Sequence, residues 1–195
     1  MAALVSFRLA GALCLLCLAA WAMPAQAVET PPAAYRLAAH EAGIPPAVLF
    51  AVALQESGVS FRGRRIPWPW TLNVAGESRW FQTREAACAS LRSVLREVPA
   101  TRIDAGLGQI NLGYQAHRFD HPCEFLDPYR NLAIAATILR EHHKSGEDWL
   151  LAIGRYHRPA GGAPAARYRS SVHQHLARVQ GSPMPAVASR RNPPP

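Results

Sequence analysis

Apolar residues crowd into two stretches of this chain, Leu9 to Ala22 and Pro46 to Leu54, and elsewhere recur at the spacing of half-buried helices. The second stretch runs straight into Gln55-Glu56-Ser57-Gly58. Leu49, Val52, Ala53 and Glu56 fall at i, i+3, i+4 and i+7, which is one face of a helix. That face ends in a carboxylate. A carboxylate at the end of a buried stripe is costly unless it is paired or protonated. Desolvation raises its pKa, here to an expected ~6, and such a group suits a general acid. The competing reading is a helix-terminal Glu turned into solvent.

The other elements follow from their punctuation. Thr30-Pro31-Pro32 opens a helix to about His40, closed by Gly43, and Pro45-Pro46 opens the helix that carries Glu56. Residues 59–66 read as basic and irregular. Pro67–Val74 and Arg79–Thr83 then flank Ala75-Gly76-Glu77-Ser78, the pattern of a β-hairpin with a four-residue turn, its prolines confining the first strand to an edge or to its own start. Thr83 caps a helix from Arg84 to about Glu97, stopped by Pro99. Residues 101–112 read as a loop with Gly106 and Gly108. Asp127-Pro128 opens a helix to about Lys144, a further helix covers about 147–157, and a last one about 165–179. The expected fold is mainly α with an α+β character: a helical single domain with one inserted β-hairpin.

Composition adds a compartment. Met1–Ala27 has a short basic start, an apolar run and a small-x-small site at Ala25-Gln26-Ala27, which is the pattern of an export signal. The run is too short for a confident membrane span, so no stable membrane anchor is expected after cleavage. Cys14 and Cys17 fall inside the signal and are set aside as a redox or haem pair. Domain boundaries are therefore 1–27 signal, 28–180 folded domain and 181–195 a Pro-, Ser- and Arg-rich tail, expected to be disordered. Cys88 and Cys123 remain. In an oxidising compartment they are free to pair across 35 positions, and the sequence leaves their distance in space open.

The net charge of +8 suits an anionic partner such as an envelope polymer or a membrane surface. The arginines are scattered and no nucleic-acid motif occurs, so no nucleic acid is expected as a partner. Eight histidines raise the question of a metal. His142-His143 are adjacent, His173 and His175 are two apart on a helix, and no H-E-x-x-H occurs, so surface histidines and no metal site are expected. Trp68, Trp70 and Trp80 suit packing of the hairpin better than sugar stacking.

Three pieces line up behind Glu56-Ser57: Gly106-Leu107-Gly108-Gln109-Ile110-Asn111, Asn131-Leu132-Ala133, and Ala152-Ile153-Gly154-Arg155-Tyr156-His157. In this order the set resembles the soluble lytic transglycosylases of the goose-type lysozyme-like superfamily, over about residues 33–179. That family shows a Glu-Ser pair ending a buried helix, a Gly-Leu-Met-Gln-Ile loop, an Asn-Leu helix start and an Ala-x-x-Tyr-Asn-x-Gly segment. The Trp-Pro-Trp-Thr-Leu-Asn stretch looks like the branch found with conjugation and type IV secretion systems.

The resemblance implies an exported, periplasmic, monomeric enzyme without cofactor, acting on peptidoglycan glycan strands, with a secretion or conjugation complex as a further partner. Glu56 would be the single catalytic acid and base. Ser57 would hydrogen-bond near the scissile sugar, Gln109 would touch substrate and the loop around Glu56, and Tyr156 would point its hydroxyl at the Glu56 carboxylate. Asn131, grouped with the substrate-side residues, would brace the wall, and Asn73 could hydrogen-bond glycan. Three departures stand out: Gly108 for Met, expected to widen the cleft; His157 for Asn; and Asp104 where relatives carry a small or hydroxyl residue. A lysozyme-like hydrolase is the alternative and would need a second carboxylate, with Asp104 or Glu77 nearest by motif. A catalytically silent glycan-binding assembly factor is the other.

Overall fold

The computed structural model describes residues 28–181. The signal expected over 1–27, and all but the first residue of the expected tail, lie outside the described residues. Six α-helices carry the domain: α1 Ala33–Ala42, α2 Pro46–Ser57, α3 Arg84–Val94, α4 Pro128–His142, α5 Trp149–His157 and α6 Gly162–Gln180. The fold is mainly α with small antiparallel sheets, in line with the class read from the sequence.

The caps are those that the sequence announces. Gly43 closes α1 in the left-handed conformation. Thr83 accepts from the Ala86 N–H at the start of α3, and Asp127 from the Arg130 N–H at the start of α4. Helix α2 is the centre of the core. Every residue from Val48 to Leu54 is buried, because α2 has α1, α4 and α6 packed around it. A helix apolar on all sides is one surrounded on all sides.

The strands correct the sequence reading in three places. Residues expected to be irregular form a two-stranded ribbon, β1 Gly58–Phe61 with β2 Arg64–Pro67. Its turn is Arg62-Gly63, both at positive φ, a pair outside the usual turn dipeptides. The hairpin that follows is tighter than expected. β3 Thr71–Val74 pairs with β4 Glu77–Trp80 across a two-residue turn, Ala75-Gly76, again both at positive φ. Finally, the expected loop at 101–112 contributes β5 Ile103–Ala105 and β6 Ile110–Asn111. The sheet order is β4-β3-β5-β6, so β3 is an inner strand, and Pro67 and Pro69 precede it.

Register gives this sheet two unlike faces. Leu72, Val74, Ile103 and Ala105 are buried in the core. On the other face Asn73 lies opposite both Ser78 and Asp104, and Asp104 lies opposite Asn111, so four polar side chains form one row across the sheet. Cys88 on α3 is bonded to Cys123 in the turn Pro122–Leu126, with Cα atoms 5.2 Å apart. A loop of this length stabilises by about 3–4 kcal/mol on the loop-entropy model. The bond fixes the segment that leads into α4.

Candidate active site

Glu56 stands in the last turn of α2, half-buried, at the wall of a cavity of about 630 Å³. That is the size range of ligand clefts. The polar row of the sheet, Ser78, Asn73, Asp104 and Asn111, lines the cavity too, together with Gln109, Tyr114, His142, Tyr156 and His157. Of the residues singled out from the sequence, Glu56, Asn73, Gln109 and Tyr156 therefore share one cavity. Ser57 and Asn131 do not line it.

Those two hold the loop that faces Glu56. Ser57 Oγ lies 2.8 Å from the Leu107 carbonyl and 3.1 Å from that of Ala53, and its single proton serves one of them at a time. The side chain is buried and does not line the cavity, so its contacts are with backbone where a sugar contact was expected for Ser57. Asn131 is fully buried, and its amide nitrogen and oxygen are both partnered. Nδ2 donates to the carbonyls of Ala105 (2.9 Å) and Phe125 (2.8 Å), and Oδ1 accepts from the Gly108 N–H (2.8 Å). A buried amide with all three contacts made is a rigid strut between α4 and the loop.

The loop needs its glycines for closeness. A Cβ on Gly106 would fall 2.2 Å from Asn131 Nδ2, and one on Gly108 would fall 2.7 Å from the Ala135 Cβ and 2.8 Å from the Tyr156 hydroxyl. Gly108 thus faces packed side chains and not open cleft, so its presence does not widen the cleft as expected. It lets α4 and Tyr156 approach the backbone. Gln109 follows at positive φ, with Nε2 donating to the carbonyls of Gly106 (2.9 Å) and Thr71 (3.1 Å). Both bonds use its nitrogen, which ties the loop to β3.

The tyrosines change places relative to the sequence reading. Tyr156 donates to the Gly108 carbonyl (2.6 Å), not to Glu56. The hydroxyl that donates to Glu56 Oε1 belongs to Tyr168 on α6, a residue the motif reading missed. The signal was present: Ala165, Tyr168 and Val172 fall at i, i+3 and i+7 on the buried face of α6. A tyrosine on a buried helix face has a hydroxyl that must find a partner.

Burial pushes the Glu56 carboxyl from its ordinary 4.5 up to about 8; the Tyr168 bond opposes the rise, and the nearby Asp104 charge adds to it. Glu56 is therefore mostly a neutral acid at pH 7, further shifted than the ~6 read from its apolar face. Its place at the carboxyl end of α2 works in the same direction, since the helix dipole there disfavours an anion. Asp104 is also raised by burial, but a hydrogen bond from Asn111 Nδ2 (2.8 Å) and the neighbouring His157 favour its charged form. Glu77, the other candidate for a second carboxylate, is exposed on β4 and pairs with Arg79 at 3.6 Å.

The aromatic and histidine expectations divide. Trp68 donates from Nε1 to the Phe81 carbonyl (2.7 Å) and meets Trp70 edge-on, while Trp80 is exposed; none of the three lines the cavity. His142 and His143, expected on the surface, are half-buried: His142 borders the cavity, and His143 stacks on Trp149. His157 stacks on Tyr168.

No family model, no curated protein and no solved structure matches this chain.

Proposed function

We propose that this chain is a peptidoglycan lytic transglycosylase, cleaving the β-1,4 bond between N-acetylmuramic acid and N-acetylglucosamine without water. One observation carries the reading: a half-buried glutamic acid, its pKa pushed up to about 8 by burial, opens on a ligand-sized cleft and holds a tyrosine hydroxyl as its partner.

A glycosidic bond breaks when the leaving oxygen gains a proton and the anomeric carbon gains a nucleophile. Ordinary glycosidases divide these tasks between two carboxylates. In a transglycosylase the sugar's own C6 hydroxyl is the nucleophile, and one carboxyl suffices. Neutral Glu56 gives its proton to the leaving oxygen. The carboxylate that forms then takes the C6 hydroxyl proton as the 1,6-anhydro ring closes. Tyr168 suits both states, because a phenol hydroxyl can donate to a carboxylate and accept from a carboxylic acid. Of the polar row, Ser78 and Asn73 supply hydrogen-bonding groups for the hydroxyl and acetamido groups of the glycan, whereas the Asn111 amide is spent on Asp104 and the backbone. Export, cleavage of the signal and service to a secretion or conjugation complex complete the proposal, and they rest on the sequence patterns described above.

A second reading, a lysozyme-like hydrolase, is favoured by one observation: Asp104 lines the same cavity as Glu56 and could activate a water. Digestion of purified sacculi followed by mass spectrometry separates the two. Anhydro ends, lighter than hydrolysed ends by one water, are the expected product. Ends that carry the added water would assign the chain to the second reading, and intact glycan would reject both.

A further inference from the structure

His157 is placed with a regularity that the proton transfers above leave unused. It ends α5, directly after Tyr156, and borders the Glu56 cavity. Its ring lies flat on that of Tyr168, with centroids 4.5 Å apart and planes 5° from parallel. The two partners differ in exposure: Tyr168 keeps 8% of its surface, whereas His157 is exposed. The imidazole therefore stands between solvent and the tyrosine ring, whose hydroxyl reaches Glu56.

We propose that His157 is a positioning residue acting through Tyr168, a flat cover that keeps water from the Tyr168–Glu56 hydrogen bond. The proposal deepens the reading of Glu56 as the acid and rests on it. Burial is the largest influence holding Glu56 neutral, and since the carboxyl already borders the cleft, any further access of water around Tyr168 moves where it titrates. The groups facing the pair are Asp104 from β5 and Tyr156 from α5, with Arg158 beside His157 on its own segment. Burial lowers the pKa of His157, with Asp104 opposing. The ring is thus neutral in the range where Glu56 titrates, and replacing it there changes the access of water and not the charge.

A cover and a mere hold on Tyr168 predict opposite signs. Water reaching the pair stabilises the carboxylate and lowers the Glu56 pKa. Losing the Tyr168 bond, which favours the charged form, raises it. The experiment is a carbon-13 NMR titration of the Glu56 carboxyl in the full chain and in three variants. His157→Ala should lower the pKa by about one unit, His157→Asn should lower it less, and His157→Phe, which keeps the flat ring, should hold it at the wild-type value. The high-pH limb of glycan cleavage should move to lower pH by the same amount. An unchanged or raised pKa in His157→Ala, or a His157→Phe chain that titrates like His157→Ala, overturns the proposal. Should the alanine variant not fold, the asparagine and phenylalanine variants carry the same comparison. The titration needs no substrate, so a wild-type chain that leaves glycan intact defeats the proposed function while leaving the cover standing or falling on its own result.

Discussion

Glu56 and Asp104 face one cavity from different elements, one at the end of a core helix and one on an inner strand of the sheet. Burial raises both. Their partners differ. Glu56 meets a hydroxyl, which serves a neutral acid as readily as an anion. Asp104 meets an amide NH2, which can only donate and so favours the anion. The helix end disfavours charge at Glu56, while the polar strand row accommodates it at Asp104. The difference teaches that burial alone does not choose an acid for proton traffic. A partner that tolerates both protonation states does.

The strongest way to break this contrast is to remove the titrating proton. Glu56→Gln keeps the shape and should cost about 10³-fold or more in cleavage rate, since acid catalysis by a positioned carboxyl contributes on that scale. Release of muropeptides from sacculi measures it; residual turnover within tenfold of wild type would place the chemistry elsewhere. The same variant should be more stable than the parent at alkaline pH. Glu56 is raised in the folded chain, so its ionisation penalty is absent below the ordinary value of 4.5 and fully present above about 8. Across that window the parent should lose stability relative to Glu56→Gln by on the order of a few kcal/mol. Denaturant melts of both chains at pH 5 and pH 9 read the difference, and parallel curves would mean that Glu56 is not desolvated.

Removing the two-way partner sharpens the contrast further. Tyr168→Phe leaves the ring stack with His157 and deletes only the hydroxyl. The bond lowers the Glu56 pKa, so its loss should raise that pKa by about one unit and slow turnover by about 10- to 100-fold, as for a hydrogen bond to a charged group. Tyr156→Phe should move the Glu56 titration less, because its hydroxyl is spent on the Gly108 carbonyl. The two pH–rate profiles side by side test whether the tyrosines are assigned correctly.

Much of this arrangement was legible in the chain, and the illegible parts have physical reasons. Helix starts were readable because each carries its own local chemistry: Thr83 and Asp127 satisfy N–H groups three residues away. Glu56 was readable because an acid interrupts an apolar face. The ribbon β1–β2 was not, because its turn places Arg62 at positive φ, and no local rule favours arginine there. Strands β5 and β6 are three and two residues long, too short for any alternation to show. Asp104 and Asn73 join one row only through register across strands 31 positions apart in sequence, which no window of the chain contains. Tyr168 lies 112 positions from Glu56 and outside every motif, and only the packing of α6 on α2 brings them together.

The smallest expected effect is the one that decides between the two catalytic readings. Asp104→Asn removes a charge that raises the Glu56 pKa, so Glu56 should titrate at slightly lower pH in the variant. Its amide can still face Asn111 from the neighbouring strand, so the sheet register should persist. If the C6 hydroxyl of the sugar is the nucleophile, no base other than Glu56 is needed, and the rate should fall by no more than about tenfold with anhydro ends unchanged. If Asp104 activates water, the loss should approach that of Glu56→Gln, and the water-added ends should vanish with it. Counting both kinds of end in one mass spectrum, for the parent and the variant, reads the answer directly: constant anhydro ends with a modest rate loss mean that Asp104 shapes the field around the acid and takes no proton itself.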